Sequence, residues 1–171
     1  MDRLWAPWRL AYVADPHEKA KPPTVDACFI CTAIAGSDDR ANLLVDRTPL
    51  AVAMLNKFPY NNGHLLIAPI EHRGRLDELS PEQLLDLQLS LRKMLGILEA
   101  NMHPDGFNVG LNLGKAAGAG LPGHLHWHIV PRWNGDVNFM PVVADTKVIV
   151  QSLDALYELL AKELRKEARG E

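Results

Sequence analysis

The run His124-Leu125-His126-Trp127-His128-Ile129-Val130 constrains the fold of this chain more than any other stretch of it. Side chains of an extended strand point alternately to opposite faces. As a strand, the run puts three imidazoles on one face and Leu125, Trp127 and Ile129 on the other. Neighbouring histidines then stand about 6–7 Å apart by strand rise. The apolar face needs a hydrophobic layer behind it, and a long helix elsewhere in the chain can supply one. The histidine face is thereby held rigidly and must look at something polar.

A neutral imidazole with the proton on one nitrogen carries a lone pair on the other. Such a ring can attack phosphorus and carry a nucleotidyl group, while a neighbour sets its tautomer and another donates to the leaving oxygen. The alternatives are a metal-binding face and ordinary structural histidines. The loop Gly114 to Gly123 (GKAAGAGLPG) runs straight into this segment. Glycines let backbone N–H groups crowd an anion. A Gly-Lys-Ser/Thr ending is absent, and a strand rather than a helix follows, so neither a Walker loop nor a dinucleotide fingerprint fits. Beside the histidines, the loop points to a phosphate held next to a nucleophile.

The remaining elements follow from periodicity and turn chemistry. Residues 43–47 and 50–55 flank Thr48-Pro49 and predict a strand–turn–strand, and 63–69 (GHLLIAP) predicts a third strand. Ser80-Pro81-Glu82-Gln83 is a capping box with proline at the first helical position. The helix it starts runs to about Met102, with Leu84, Leu87, Leu91, Met94, Leu95 and Leu98 on one stripe, and Pro104-Asp105-Gly106 stops it. Residues 107–113 predict a strand, 124–130 another closed by Pro131, and 151–167 an amphipathic helix with Leu153, Leu156, Leu160 and Leu164 in register. Strands joined by turns around one long helix predict an antiparallel α+β domain. Three segments are expected: an N-terminal arm and Pro-rich loop at 1–26, a domain at 27–140, and a helical extension at 141–171.

These motifs together resemble the histidine triad (HIT) superfamily of nucleotidyl hydrolases and transferases. His124-x-His126-x-His128-Ile129-Val130 matches its signature. Asn56, eight residues before His64 in NKFPYNNGHLLIAP, is similar to its ribose-binding segment. Asn112-x-Gly114 with Ala117-Gly118 resembles its phosphate loop, and PRWNGD (131–136) the tail after the triad. The resemblance implies a five-stranded antiparallel sheet with two main helices, and a homodimer that joins two sheets, with a tetramer as the open alternative. It implies His126 as nucleophile, His128 on the leaving oxygen, His124 supporting the site from the other end of the strand, and His64 orienting the triad. Asn56 would bind ribose, and Asn112 with the amides of Gly118, Ala119 and Gly120 would hold phosphate. Many members carry Gln before the triad, where this chain has Ala119-Gly120-Leu121-Pro122-Gly123. That loop and the N-terminal RLWAPWR instead resemble the bacterial subgroup related to diadenosine tetraphosphate phosphorylase. The implied activity is cleavage of dinucleoside polyphosphates with phosphate as acceptor, Mg²⁺ possible on the polyphosphate, and no organic cofactor. A hydrolase or phosphoramidase using water is the runner-up, and a nucleotide-binding regulator or a triad metal enzyme stand further off.

Cys28-x-x-Cys31 supplies half of a tetrahedral zinc site, and histidines must complete it because the chain has only 2 Cys. His72 and His124 resemble the zinc histidines of metal-binding relatives. A redox pair and two buried thiols are the other readings. Lys57, Lys115 and Arg132 lie near the expected polyphosphate with solvated surface as their default, and Trp133 is expected to pack rather than stack on a base. His17 and His103 have no role.

Composition removes whole classes. With 171 residues, 47% hydrophobic and 23% charged, the chain can bury a core and is not globally disordered. A net charge of −3 provides no basic field for nucleic acid. The N-terminus lacks a signal-peptide core, no run approaches the roughly 20 apolar residues of a membrane span, and the expected location is the cytoplasm with both thiols reduced.

Overall fold

The structure, a computed structural model, describes residues 28–136 and 149–170. The expected N-terminal arm and most of the start of the helical extension lie outside the described residues. In chain order the elements are α1 (Phe29–Ala35), β1 (Leu44–Arg47), β2 (Ala51–Leu55), β3 (Leu65–Pro69), α2 (Pro81–Met102), β4 (Gly106–Leu111), β5 (Trp127–Arg132) and α3 (Leu153–Arg169). The five strands form one sheet in the order β1-β2-β3-β5-β4, antiparallel at every pairing. This is the expected α+β architecture, with a short helix added to the two long ones.

The pleat divides the core in two. Ala51, Ala53 and Leu55 of β2, Leu65 and Ile67 of β3, and Trp127 and Ile129 of β5 face one way. They meet Leu87, Leu91, Met94 and Leu98 of α2 and Leu156, Leu160 and Leu164 of α3. Val52 and Met54 of β2, with Leu66 and Ala68 of β3, face the other way and meet Ile30 and Ala33 of α1 and Leu121. Every residue of β2 and β3 is therefore buried. Strands covered on both faces read as continuous apolar runs, which is why LAVAML shows no alternation.

The helix termini follow the capping rules. Ser80 Oγ accepts from Gln83 N, and the Gln83 side chain accepts from Ser80 N, with Pro81 at the first position. The stop comes at His103, a left-handed cap with φ 46° and ψ 53°, one residue before the expected Pro104. Ser152 caps α3. α1 has no counterpart in the sequence reading, because FICTAIA is too short for helical periodicity and its cap is the sulfur of Cys28, which accepts from Cys31 N.

The strand boundaries shift by up to three residues from expectation, most at the histidine strand. The histidine strand begins at Trp127, so His124 and His126 precede it, and Pro131 lies within it rather than closing it. Pairing with β3 stops at Ile129. A residue without an N–H is therefore accommodated at 131, opposite Phe107 of β4. The alternation survives ahead of the strand: Leu125 joins Trp127 and Ile129 in the larger core, held by its N–H donating to the Arg73 carbonyl.

Met94 is fully buried at the centre of α2. Met94→Ala removes its contacts with the sheet and should lower unfolding stability by about 2–5 kcal/mol, read from the urea midpoint at unchanged slope.

Candidate active site and metal centre

The second face of the sheet carries a cavity of about 700 Å³. His126 and His128 line it, together with Asn56, Lys57, Phe58 and Tyr60 of the β2–β3 loop and Gly118 and Gly120 of the glycine loop. Its apolar wall comes from Phe29, Thr32 and Ala33 of α1, Leu43, and Met54 of β2.

The hydrogen bonds determine which nitrogen of each ring holds the proton. A carbonyl only accepts and a backbone N–H only donates. His126 Nδ1 lies 2.8 Å from the His124 carbonyl and must donate to it. Its Nε2 therefore bears the lone pair. Tyr60 N donates to His64 Nδ1 at 3.0 Å, which places the His64 proton on Nε2. His64 Nε2 lies 2.9 Å from His128 Nδ1 and donates to it, so the His128 proton is on Nε2. The His126 and His128 rings sit 5.0 Å apart, nearly perpendicular. The site thus offers one nucleophilic nitrogen and one N–H donor side by side. Burial lowers the pKa of His126, and burial with the nearby His126 lowers that of His128 to about 4. Both rings are neutral at pH 7, as the tautomers require.

His124 is turned away from this pair. Its Nε2 donates to the Pro69 carbonyl at 2.9 Å, which leaves the Nδ1 lone pair aimed at the Cys28 and Cys31 sulfurs, each 3.3 Å away. His72 Nδ1 lies 3.2 Å from Cys31 Sγ. The ligand atoms of Cys28, Cys31, His72 and His124 all lie within 4.8 Å of one another and could hold a metal ion. Burial and the adjacent Cys28 push the Cys31 thiol up to about 11. A cation bound among them is what would make these sulfurs thiolates.

The remaining expected residues separate by position. Asn56 stands at the cavity, but its Oδ1 already accepts from Phe58 N at 2.9 Å, leaving its Nδ2 near the His64 ring. Asn112 does not line the cavity: its Nδ2 donates to the Gly118 carbonyl at 3.3 Å and braces the loop. Gly118 has φ +87°, a left-handed conformation that a side chain would strain. Ala119, in the same loop, is buried. Arg132 does not reach the cavity. It binds Asp136 and Asn108, and Trp133 donates to the His103 carbonyl. Lys57 does line the cavity.

Sequence reasoning missed Tyr60, Asn61 and Asp136. Asp136 accepts from Arg132 Nε at 2.6 Å, Arg132 Nη2 at 2.9 Å and Asn61 Nδ2 at 2.8 Å. This ties the loop carrying Tyr60 to the end of β5. The long separation between Asn61 and Asp136 left no local signal of the pairing.

A sheet with a histidine pair lining a cavity on one face, a glycine loop beside it and two long helices on the other face defines a class, and the HIT domain model matches residues 39–135. The chain belongs to the HIT domain family. Among its relatives, a Mycobacterium tuberculosis protein named AP-4-A phosphorylase is 39% identical over 164 residues, covering 95% of this chain and 84% of that one. The bis(5′-nucleosyl)-tetraphosphatase [asymmetrical] of Schizosaccharomyces pombe is 38% identical over 90 residues, covering 53% of this chain and 49% of that one. The crystal structure of a Zn-bound histidine triad family protein from Mycobacterium smegmatis shares the fold with a TM-score of 0.68, at 23% identity, covering 86% of this chain and all of that one. No described helix is long and apolar enough to cross a membrane.

The Arg132 guanidinium beside it holds the Asp136 carboxyl down at about 2. A carboxyl depressed in the folded state stabilises above its unfolded pKa of about 3.9, and that stabilisation is lost as pH falls through the folded value. Asp136→Asn should therefore melt below the wild type at pH 5–7, and the gap should close as pH approaches about 2.

Proposed function

We propose that this chain is a nucleotidyltransferase that cleaves dinucleoside polyphosphates such as diadenosine tetraphosphate through a covalent nucleotidyl-His126. The observation that carries the proposal is the bond from His126 Nδ1 to the His124 carbonyl, which leaves Nε2 unprotonated at the cavity wall. Nε2 attacks the α-phosphorus, the P–O bond to the rest of the polyphosphate breaks, and the electron pair leaves on that oxygen. His128 Nε2–H donates to the departing oxygen, held in that tautomer by His64. Asn56 faces the ribose, and the backbone around Gly118 to Gly120, braced by Asn112, faces the phosphates. Phosphate then attacks the phosphorus of nucleotidyl-His126 and releases a nucleoside diphosphate, regenerating the imidazole. The identity with the mycobacterial AP-4-A phosphorylase across nearly the whole chain supports phosphate as the acceptor. The similarity to a tetraphosphatase supports the second reading, in which water attacks instead.

The donor set Cys28, Cys31, His72 and His124 supports a structural zinc, one per chain. Zn–S bonds of about 2.3 Å and Zn–N bonds of about 2.1 Å in a tetrahedron put neighbouring S and N atoms about 3.6 Å apart, and the S···N distances here are 3.2 to 3.3 Å. Zinc would clamp α1 to the segment leading into β5, and no step of the reaction runs through it. Mg²⁺ enters as counter-ion of the polyphosphate. A homodimer formed at the outer edge of β4, where Val109 is exposed and Leu113 just beyond, and a cytoplasmic location complete the proposal.

His126→Ala should lose turnover by several orders of magnitude while the fold and nucleotide binding persist. With the wild type, nucleoside diphosphate should form only when phosphate is present. Nucleoside monophosphate made equally well with and without phosphate would assign the hydrolase instead. Elemental analysis should find one zinc per chain, reduced in Cys31→Ser, and protein purified without any stoichiometric zinc would sink the metal assignment.

A further inference from the structure

A dinucleoside polyphosphate has two nucleosides, and attack at one α-phosphorus sends the other away with the leaving group. We propose that Phe58 and Tyr60 form the subsite for this second, departing nucleoside, by stacking on its base. The inference rests on the functional reading above and adds the part of the substrate which that reading leaves unplaced.

The cavity has two distinct apolar surfaces. One is the inner wall, where Ala33 of α1 and Met54 belong to the smaller core, Leu43 packs against the larger one, and Phe29 is half exposed. The other is the lip, where Phe58 is 77% exposed and Tyr60 53% exposed. A lone exposed aromatic residue needs no explanation. Two of them on either side of Pro59, both lining the cavity that holds the histidine pair, form a built surface. The Tyr60 ring stacks on His128, with centroids 5.7 Å apart and planes inclined by 22°. His128 is the ring that donates to the departing oxygen, so Tyr60 is the first surface on the path of the leaving group. Lys57 Nζ lies 5.9 Å from the centroid of the Phe58 ring, which puts a cation beside the polyphosphate on the same lip.

The lip is also ordered from behind. Phe58 N donates to Asn56 Oδ1, and Tyr60 N donates to His64 Nδ1. Pro59 restricts the backbone of Phe58 to extended conformations. Both aromatic residues are thus tied to side chains of the catalytic face, and a base stacked on them would meet a surface that needs little ordering on binding. Base–aromatic stacking accepts every base, since each has a π-face, so this subsite selects for a second nucleoside without reading which one it is.

The test compares diadenosine tetraphosphate with adenosine 5′-tetraphosphate, which keeps the same polyphosphate and lacks the second nucleoside. In Phe58→Ala, the ratio of kcat/KM for the first over the second should fall about tenfold, and Phe58→Trp should restore it. Equal losses on both substrates, or no loss on either, would overturn the subsite. An equal loss accompanied by a smaller native mass in sedimentation would assign Phe58 to an interface between copies, which also overturns it. If the wild type turns over neither compound with or without phosphate, the functional reading itself fails, an outcome distinct from an unchanged ratio.

Discussion

The buried residue His124 is where the sheet, the cysteine helix and the histidines lining the cavity are tied together. Its Nε2 is bound to the carbonyl of Pro69 at the end of β3, its Nδ1 faces the sulfurs at the start of α1, and its own carbonyl receives Nδ1–H of His126. The two carbonyls only accept, so they fix the His124 proton on Nε2 and the His126 proton on Nδ1. A buried imidazole left without partners would be costly, so the Cys–His cluster and the His126–His128 face of the cavity hold each other in place. The lone pair on His126 Nε2 is the far end of that arrangement.

The two faces of the sheet divide the work. The larger core, under α2 and α3, supplies most of the buried apolar surface and the rigidity. The smaller core, under α1, is interrupted by the cavity, whose lining mixes His126 and His128 with apolar side chains such as Met54 and Leu121. Ion pairs such as Arg40 with Asp154 and Glu158 lie on the exterior, where solvent screening leaves them little influence on stability. Among the described residues lining the cavity, apolar surface stays open on Phe58 and Tyr60 at the lip and on Phe29 of α1.

Much of the fold was legible because its signals are local. The Ser80 to Gln83 capping box announces α2 within four residues, the leucine stripes of α2 and α3 repeat at helical spacing, and alternation from His124 to Val130 assigns two faces before any partner is known. α1 was not legible, since seven residues capped by a cysteine sulfur carry no periodic signal. The start of β5 at Trp127 and the acceptance of Pro131 inside it depend on where β3 ends, and that is a property of the neighbouring strand. At the site, the cysteine pair and the histidine run could be named from spacing and family resemblance. The diversion of Asn56 Oδ1 to Phe58 N and of Arg132 to Asp136 could not, because competing partners are set by packing.

The amino-acid sequence by itself determined the alternating histidine face, the two long helices, the antiparallel α+β class and the set of residue types available for phosphorus chemistry and metal binding. Periodicity and capping act over a few residues, and the chain carries them wherever it folds. The tertiary structure alone decided which nitrogen of each imidazole holds its proton, that His124 turns to the cysteines while His126 and His128 turn to the cavity, and that Asn61 and Asp136 secure the loop above them. The His126 and His64 tautomers are set by neighbours two and four residues away, but the bonds of His64 to His128, His124 to Pro69 and Asn61 to Asp136 join groups far apart in the chain, and these exist only once the sheet has brought the partners within about 3 Å.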